Sequence, residues 1–396
     1  MGKCHWWPML LSGTIDIESN ILIAQIVALV VAGITVAVTY YTKTGVFAPK
    51  SDTNSSNTNA TTPNSTNATN STNMTSCPLR GMYLDSKKKC QVCPQPNKTF
   101  AVFWQSHTDG CRDFMKTPAF QYVTHIYWGF ALINNQTGAV GQTFQGNDAT
   151  LLDCANAMKS KCVQQYASIG GATERTNFIA LNTPDKVALF GKTAATLVEK
   201  FGFDGVDIDD ESGNSLAGGD WNATSSANVV AYLQSIRTSL NALPLKAGEP
   251  AYRITWDEFP TSLDANCAAP GGDYQRCFNA AIGQSVDQVN VMMYNSETSA
   301  AYDTFLNATV PTNWAAVVAP SKIVLGGCVG KPGDEGACSY GASPSSAQLA
   351  RYASDGSSKY GGTMLWTGSA DYTLNKGQTM VSMGQAGGYG VQVPSS

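Results

Sequence analysis

The sequence predicts an α/β protein, a (β/α)8 barrel ectodomain carried on an N-terminal single-pass transmembrane helix. Three observations predict it. Eight short apolar runs recur between Phe100 and Trp366, with amphipathic stretches between them. Residues 21–41 contain no charged side chain and are rich in Ile, Val and Ala. An Asn/Ser/Thr tract separates the two regions.

Length and composition bound the possibilities. The 396 residues allow two or three ordinary domains, although a barrel of this type takes about 250 residues alone. Charged residues make up 14% of the chain, against a typical ~25%. The net charge is −4, with no basic block, so nucleic acid is not an expected partner. The three histidines, His5, His107 and His125, are scattered without HExxH spacing. No metal site is expected from them.

Residues 1–20 form an N-terminal tail. Residues 21–41 have the length of a bilayer-crossing helix. A cleaved signal peptide is the competing reading, but its apolar region would be shorter, about 7–15 residues, behind a basic start. Here Asp16 and Glu18 precede the run, which favours an uncleaved signal-anchor. The flanking lysines do not settle orientation. Nearly all cysteines and the N-x-[ST] sequons at Asn54, Asn59, Asn64, Asn67, Asn70, Asn73, Asn97, Asn135, Asn222 and Asn307 follow the span. The C-terminal part is therefore expected outside the cell, in a lumen or on a virion surface, or secreted if cleavage occurs.

Residues 42–76 read as a disordered, glycosylated stalk, because an Asn/Ser/Thr tract lacks the apolar surface that offsets ordering entropy. Residues 77–98 form a Cys-containing lead-in, 99–385 the barrel, and 386–396 a C-terminal tail. Of the eleven cysteines, short spacings suggest the pairs Cys154–Cys162, Cys267–Cys277 and Cys328–Cys338. Cys77, Cys90, Cys93 and Cys111 are left for two further bridges of open connectivity. Cys90-Gln-Val-Cys93 has no second CxxC to complete a zinc site.

The expected strands are Phe100–Trp104, His125–Leu132, Gln164–Gly170, Gly205–Asp209, Arg253–Trp256, Gln288–Tyr294, Lys322–Gly326 and Gly362–Trp366. One intervening helix starts at Thr183-Pro184, a cap followed by proline at the first helical position, and runs to about Lys200. Another runs from about Ser226 to Leu243. Alternating strands and helices fit a closed parallel barrel, and a doubly wound sheet is the alternative.

The strongest chemical signal is the run from Phe203 to Glu211, Phe-Asp-Gly-Val-Asp-Ile-Asp-Asp-Glu. Strand alternation puts Asp207, Asp209 and Glu211 on one face and Val206, Ile208 and Asp210 on the other. Three carboxyls so close repel one another, which at a strand's C-terminal end points to a site that keeps one of them protonated. A calcium loop starting at Asp207 fails, because Ser212 and Gly218 stand where glycine and glutamate are required. A phosphate loop at Gly326–Lys331 fails because Pro332 replaces the Ser or Thr.

The segment Asp204–Glu211 matches the DGxDxDxE signature and resembles glycoside hydrolase family 18, the chitinases and their relatives. Ser168-Ile169-Gly170-Gly171 resembles the family's SxGG motif. Met292-Met293-Tyr294-Asn295 resembles its MxYD motif, and Trp366 its sugar-stacking tryptophan. The resemblance spans about Phe100 to Met383. It implies Glu211 as general acid/base, with Asp209 orienting the substrate's acetamido N–H. Asp207 would share a proton with Asp209, and Tyr294 would donate to the acetamido oxygen. Ser168, Gly171, Met292, Asn295 and Trp366 would shape substrate binding. Family 18 is a known exception to the two-carboxylate scheme, its nucleophile being the substrate's own N-acetyl oxygen. No cofactor is implied.

Asn295, in place of the common aspartate, resembles the smaller class III chitinases. The short stretch from Gly326 to Gly362 leaves no room for the family's α+β insertion, which implies a shallow, endo-acting cleft. Trp256-Asp257-Glu258-Phe259 is expected either to line a product-side subsite or to form a surface loop. The expected function is endo-hydrolysis of β-1,4-linked N-acetylglucosamine polymers such as chitin. A glycan-binding protein without catalysis and an endo-β-N-acetylglucosaminidase acting on N-glycans are the alternatives.

Overall fold

The computed structural model describes residues 77–213, 225–265, 267, 277–331 and 338–390. The expected anchor at 21–41 and the stalk at 42–76 lie outside these residues. Among the described residues, no helix is long and apolar enough to cross a membrane.

A small antiparallel pair, β1 (Met82–Leu84) and β2 (Cys90–Val92), precedes the barrel. The staves are β3 (Thr99–Gln105), β4 (His125–Ile133), β6 (Gln164–Gly170), β7 (Gly205–Asp209), β8 (Arg253–Glu258), β9 (Gln288–Met292), β10 (Ile323–Cys328) and β11 (Gly362–Trp366). A two-residue strand, β5 (Val140–Gly141), lies antiparallel against β4. The staves pair in parallel, and pairing of β3 with both β11 and β4 closes the cylinder. Closure excludes the doubly wound alternative. The staves are almost wholly buried along their length, as expected of a parallel sheet covered by helices.

Several strand boundaries differ from expectation by one or two residues. β9 stops at Met292 because the Met293 and Tyr294 amides turn back to the carbonyls of Val291 and Met292. Lys322 belongs to a 3-10 turn, Pro320–Lys322, and its ammonium donates to the Val286 carbonyl. β8 continues to Glu258, with consequences for the site.

The helix Pro184–Phe201 begins as expected, with the Thr183 hydroxyl accepting from the Lys186 amide, and ends at Gly202 in the left-handed region. It packs against Ser225–Ala242. Gly191 permits the approach, since a Cβ there would lie 2.5 Å from the Ser235 carbonyl carbon.

The described residues hold five disulfides. Cys267–Cys277 and Cys328–Cys338 form as expected. The Cys154–Cys162 pairing does not. Cys154 bonds Cys111 and Cys162 bonds Cys93, while Cys77 bonds Cys90. The reason is geometric. Cys154 is buried on the helix Asp148–Lys159, whereas Cys162 lies beyond that helix's end and clusters with Tyr83 and Cys93 of the lead-in. Cys90 and Cys93 are thus both committed to disulfides.

The lead-in is also tied to the N-terminal end of the barrel by charge. Arg80, buried, donates to Asp204 at 2.9 Å and lies 4.2 Å from the Tyr252 ring centre. The sequons Asn97, Asn135 and Asn307 are exposed.

Candidate active site

The C-terminal ends of β6, β7, β8, β9 and β11 bring the candidate residues together. On β7, Val206 and Ile208 face the surrounding helices and are fully buried. Asp210 follows their parity. Its carboxylate accepts from the Tyr232 hydroxyl at 2.6 Å and from the Ser212 amide at 2.9 Å. That side chain is a structural anchor between strand and helix.

Asp207 faces the barrel interior and is fully buried. Ser168 of β6 donates to its Oδ2 at 2.8 Å, and Thr255 of β8 to its Oδ1 at 2.5 Å. Asn290 of β9 reaches the same Oδ1 at 3.3 Å. Burial raises the Asp207 pKa, against the lowering effect of hydrogen bonds from Thr255, Asp257 and Ser168.

Asp209 ends β7 and is also buried. Its main-chain carbonyl accepts from the Gly171 amide at 2.8 Å. The paired glycines are dictated by this contact. A Cβ on Gly170, whose φ is +126°, would lie 2.1 Å from the Asp209 carbonyl oxygen. Glu211 follows the strand and is half-buried. Arg175 Nε donates to its main-chain oxygen at 3.1 Å.

Tyr294 is buried where the chain leaves β9. Burial raises its hydroxyl pKa well above the ordinary value, followed by the negative charges of Asp257, Asp209, Glu211 and Asp207. The phenol therefore stays protonated at neutral pH and is available as a donor facing the acid cluster. Met292, at the end of β9, is buried. Asn295 adopts a left-handed conformation, φ +57°, which asparagine tolerates. Its side-chain oxygen accepts from the Ser339 amide at 2.8 Å, next to the Cys328–Cys338 disulfide. Trp366 is half-buried and stacks on Phe130, ring centres 5.6 Å apart, with Phe103 edge-on at 5.3 Å.

The Trp256–Phe259 segment fits neither expectation. It is mostly strand. Thr255 and Asp257 point into the barrel, while Trp256 packs outward near Tyr232. Glu258 is buried, accepting from Ser262 at 2.9 Å and from its neighbour's amide, Phe259, at 3.0 Å. Asn290, Thr255 and Arg175 are neighbours of the acid cluster that motif reasoning missed, and Asp257, expected in a subsite or a loop, lies in the barrel interior. Strand parity was the available signal: an acid in Thr-Trp-Asp and an amide in Val-Asn-Val fall at inward positions.

The family model for glycosyl hydrolases family 18 matches residues 99–328. This chain belongs to that family. The matched span covers β3 to β10, and β11 with Trp366 completes the family 18 barrel. Among curated proteins, Endochitinase 1 of Metarhizium robertsii is 31% identical over 183 residues, 46% of this chain and 37% of that protein. Endochitinase 1 of Metarhizium anisopliae is 33% identical over 156 residues, 39% of this chain and 33% of that protein. The chain therefore spans about a third of the length of these relatives. A family 18 chitinase from Cycas revoluta, solved in complex with (GlcNAc)3, superposes with TM-score 0.55 at 18% identity, covering 73% of this chain and 99% of that one. A chitinase-like agglutinin from Robinia pseudoacacia superposes with TM-score 0.52 at 16% identity, covering 72% and 99%. At such identities these structures establish the shared fold.

Proposed function

We propose that this family 18 protein is an endo-acting hydrolase of β-1,4-linked N-acetylglucosamine polymers, working with retention through the substrate's acetamido group. The observation that carries the reading is the joint placement of Glu211, Asp209 and Tyr294. Glu211 is half-buried just past the end of β7, where substrate would meet it. Asp209 is buried one step below, and a protonated Tyr294 faces both.

Each group has a role. Glu211 protonates the leaving glycosidic oxygen. Asp209 accepts from the acetamido N–H and aligns its carbonyl oxygen for attack on the anomeric carbon. Tyr294 donates to that oxygen and holds it in line with the anomeric carbon. Glu211, now a carboxylate, then takes a proton from the incoming water. Trp366, held rigid by Phe130 and Phe103, offers a flat apolar face to a sugar ring. No cofactor enters the scheme. The five disulfides suit an oxidising compartment. Residues 21–41 are proposed to anchor the barrel to a membrane, with the catalytic part outside.

Side-by-side assay of the full-length chain on chitin oligomers and on N-glycoproteins tests the substrate. Internal cleavage of the oligomers is expected. Cleavage of the N-glycoprotein alone would reassign it as an endo-β-N-acetylglucosaminidase. Binding without turnover of either would make it a lectin on this barrel.

A further inference from the structure

Family 18 chemistry as set out above gives Asp207 a proton shared with Asp209. The barrel interior holds another acid beside Asp207. Asp257 of β8 is 1% exposed. Asn290 donates to Asp257 Oδ1 at 2.8 Å while its longer contact reaches Asp207 Oδ1 at 3.3 Å, so one amide spans both carboxyls. The orientation of that amide is set from below. Thr99 donates to Gln288 Oε1 at 3.1 Å, and Gln288 Nε2 donates to Asn290 Oδ1 at 2.9 Å and to the Tyr127 oxygen at 2.7 Å. With its oxygen engaged, Asn290 must turn its hydrogens to the acids. Asp257 Oδ1 is therefore an acceptor.

Asp257 Oδ2 is different. It is buried, and no donor among the described residues reaches it. A bare carboxylate oxygen in that position is costly. A proton on Oδ2 removes the cost and turns the atom into a donor, and the acceptor beside it is Asp207, which shares the Asn290 amide with Asp257.

We propose that Asp257 is a positioning residue that holds the proton of a buried Asp207–Asp257 pair on Oδ2, and so supplies Asp207 with a further donor. Asp207 then has donors from Ser168, Thr255, Asn290 and Asp257. The ionisable groups facing Asp257 are Asp207 and Asp209 of β7, Tyr127 of β4, and Tyr294 after β9. Burial, then the charges of Asp207 and Asp209, raise the Asp257 pKa well above the ordinary value, in agreement with the geometry.

The location of the proton is read without substrate. Infrared difference spectra of the full-length wild type and Asp257→Asn at neutral pH are expected to show loss of a protonated-carboxyl carbonyl band. Loss of a carboxylate band instead would overturn the proposal. The positioning role rests on the hydrolase reading and is tested by kinetics. Asp257→Asn keeps a neutral donor to Asp207, and its kcat–pH profile should stay within about 0.5 unit of wild type. Asp257→Ala removes the donor. It should lower kcat about tenfold or more and move the profile by about a unit, with KM little changed. A wild-type profile in the alanine variant, or an equal displacement in both variants, would overturn the role. If the alanine variant does not fold, the asparagine profile and the spectra decide. A wild type inactive on every N-acetylglucosamine polymer would sink the hydrolase reading, while the spectra still place the proton.

Discussion

Arg175 Nε donates to the main-chain oxygen of Glu211 at 3.1 Å, across the gap between the segments that follow β6 and β7. The acid at the mouth is thus held through its backbone by a residue of the helix Arg175–Ile179. The side chain at position 211 can change while its anchorage persists, which makes a clean test of the chemistry possible.

Glu211→Gln should abolish hydrolysis and spare sugar binding. The amide retains the shape and cannot donate the proton, a contribution of about 10²–10⁴-fold or more. Turnover on chitin oligomers and calorimetric affinity for the same oligomers should separate. A variant that keeps most of its turnover would show that the acid lies elsewhere.

The stereochemistry of the product tests the nucleophile. Two displacements at the anomeric carbon give the β anomer first, visible by proton NMR before mutarotation. Fully deacetylated chitosan, which lacks the attacking oxygen, should resist cleavage. An initial α anomer would require direct attack by water and a second carboxylate acting as base.

His125 links stability to pH. Its ring is buried beside Tyr166, with Nδ1 2.6 Å from the Thr124 hydroxyl. Burial, then the charge of Arg253, lowers its pKa from 6.5 to about 3. The folded state therefore holds the neutral ring while the unfolded chain takes up a proton. The contribution is present above the unfolded pKa and is lost as pH falls toward the folded one. His125→Gln should flatten the decline in urea stability between about pH 7 and about pH 4. An unchanged slope would assign acid lability to other groups.

Peptide mapping under non-reducing conditions should recover Cys93–Cys162 and Cys111–Cys154. A Cys154–Cys162 peptide would restore the pairing that spacing alone suggests. Cys93→Ser opens a bridge with a sequence separation of 69 residues and should cost about 2–5 kcal/mol. Limited proteolysis should then nick the lead-in near 77–98 first, leaving the barrel intact.

Local chemistry wrote much of this protein into its sequence. Strand alternation separated Asp207, Asp209 and Glu211 from Val206, Ile208 and Asp210 before any fold was known. The Thr183-Pro184 cap marked a helix start to the residue, because capping is decided within one turn. The acid signature pointed to the family. Only tertiary structure decided what depends on neighbours distant in the chain. Cysteine partners are set by where a helix end and a lead-in meet, so Cys162 found Cys93 in place of its sequence neighbour Cys154. Asp257 and Asn290 sit on different staves from Asp207. Pairing of β7 with β8 and of β8 with β9 brings the three side by side, and the barrel buries them, which turns an ordinary acid into a candidate proton holder.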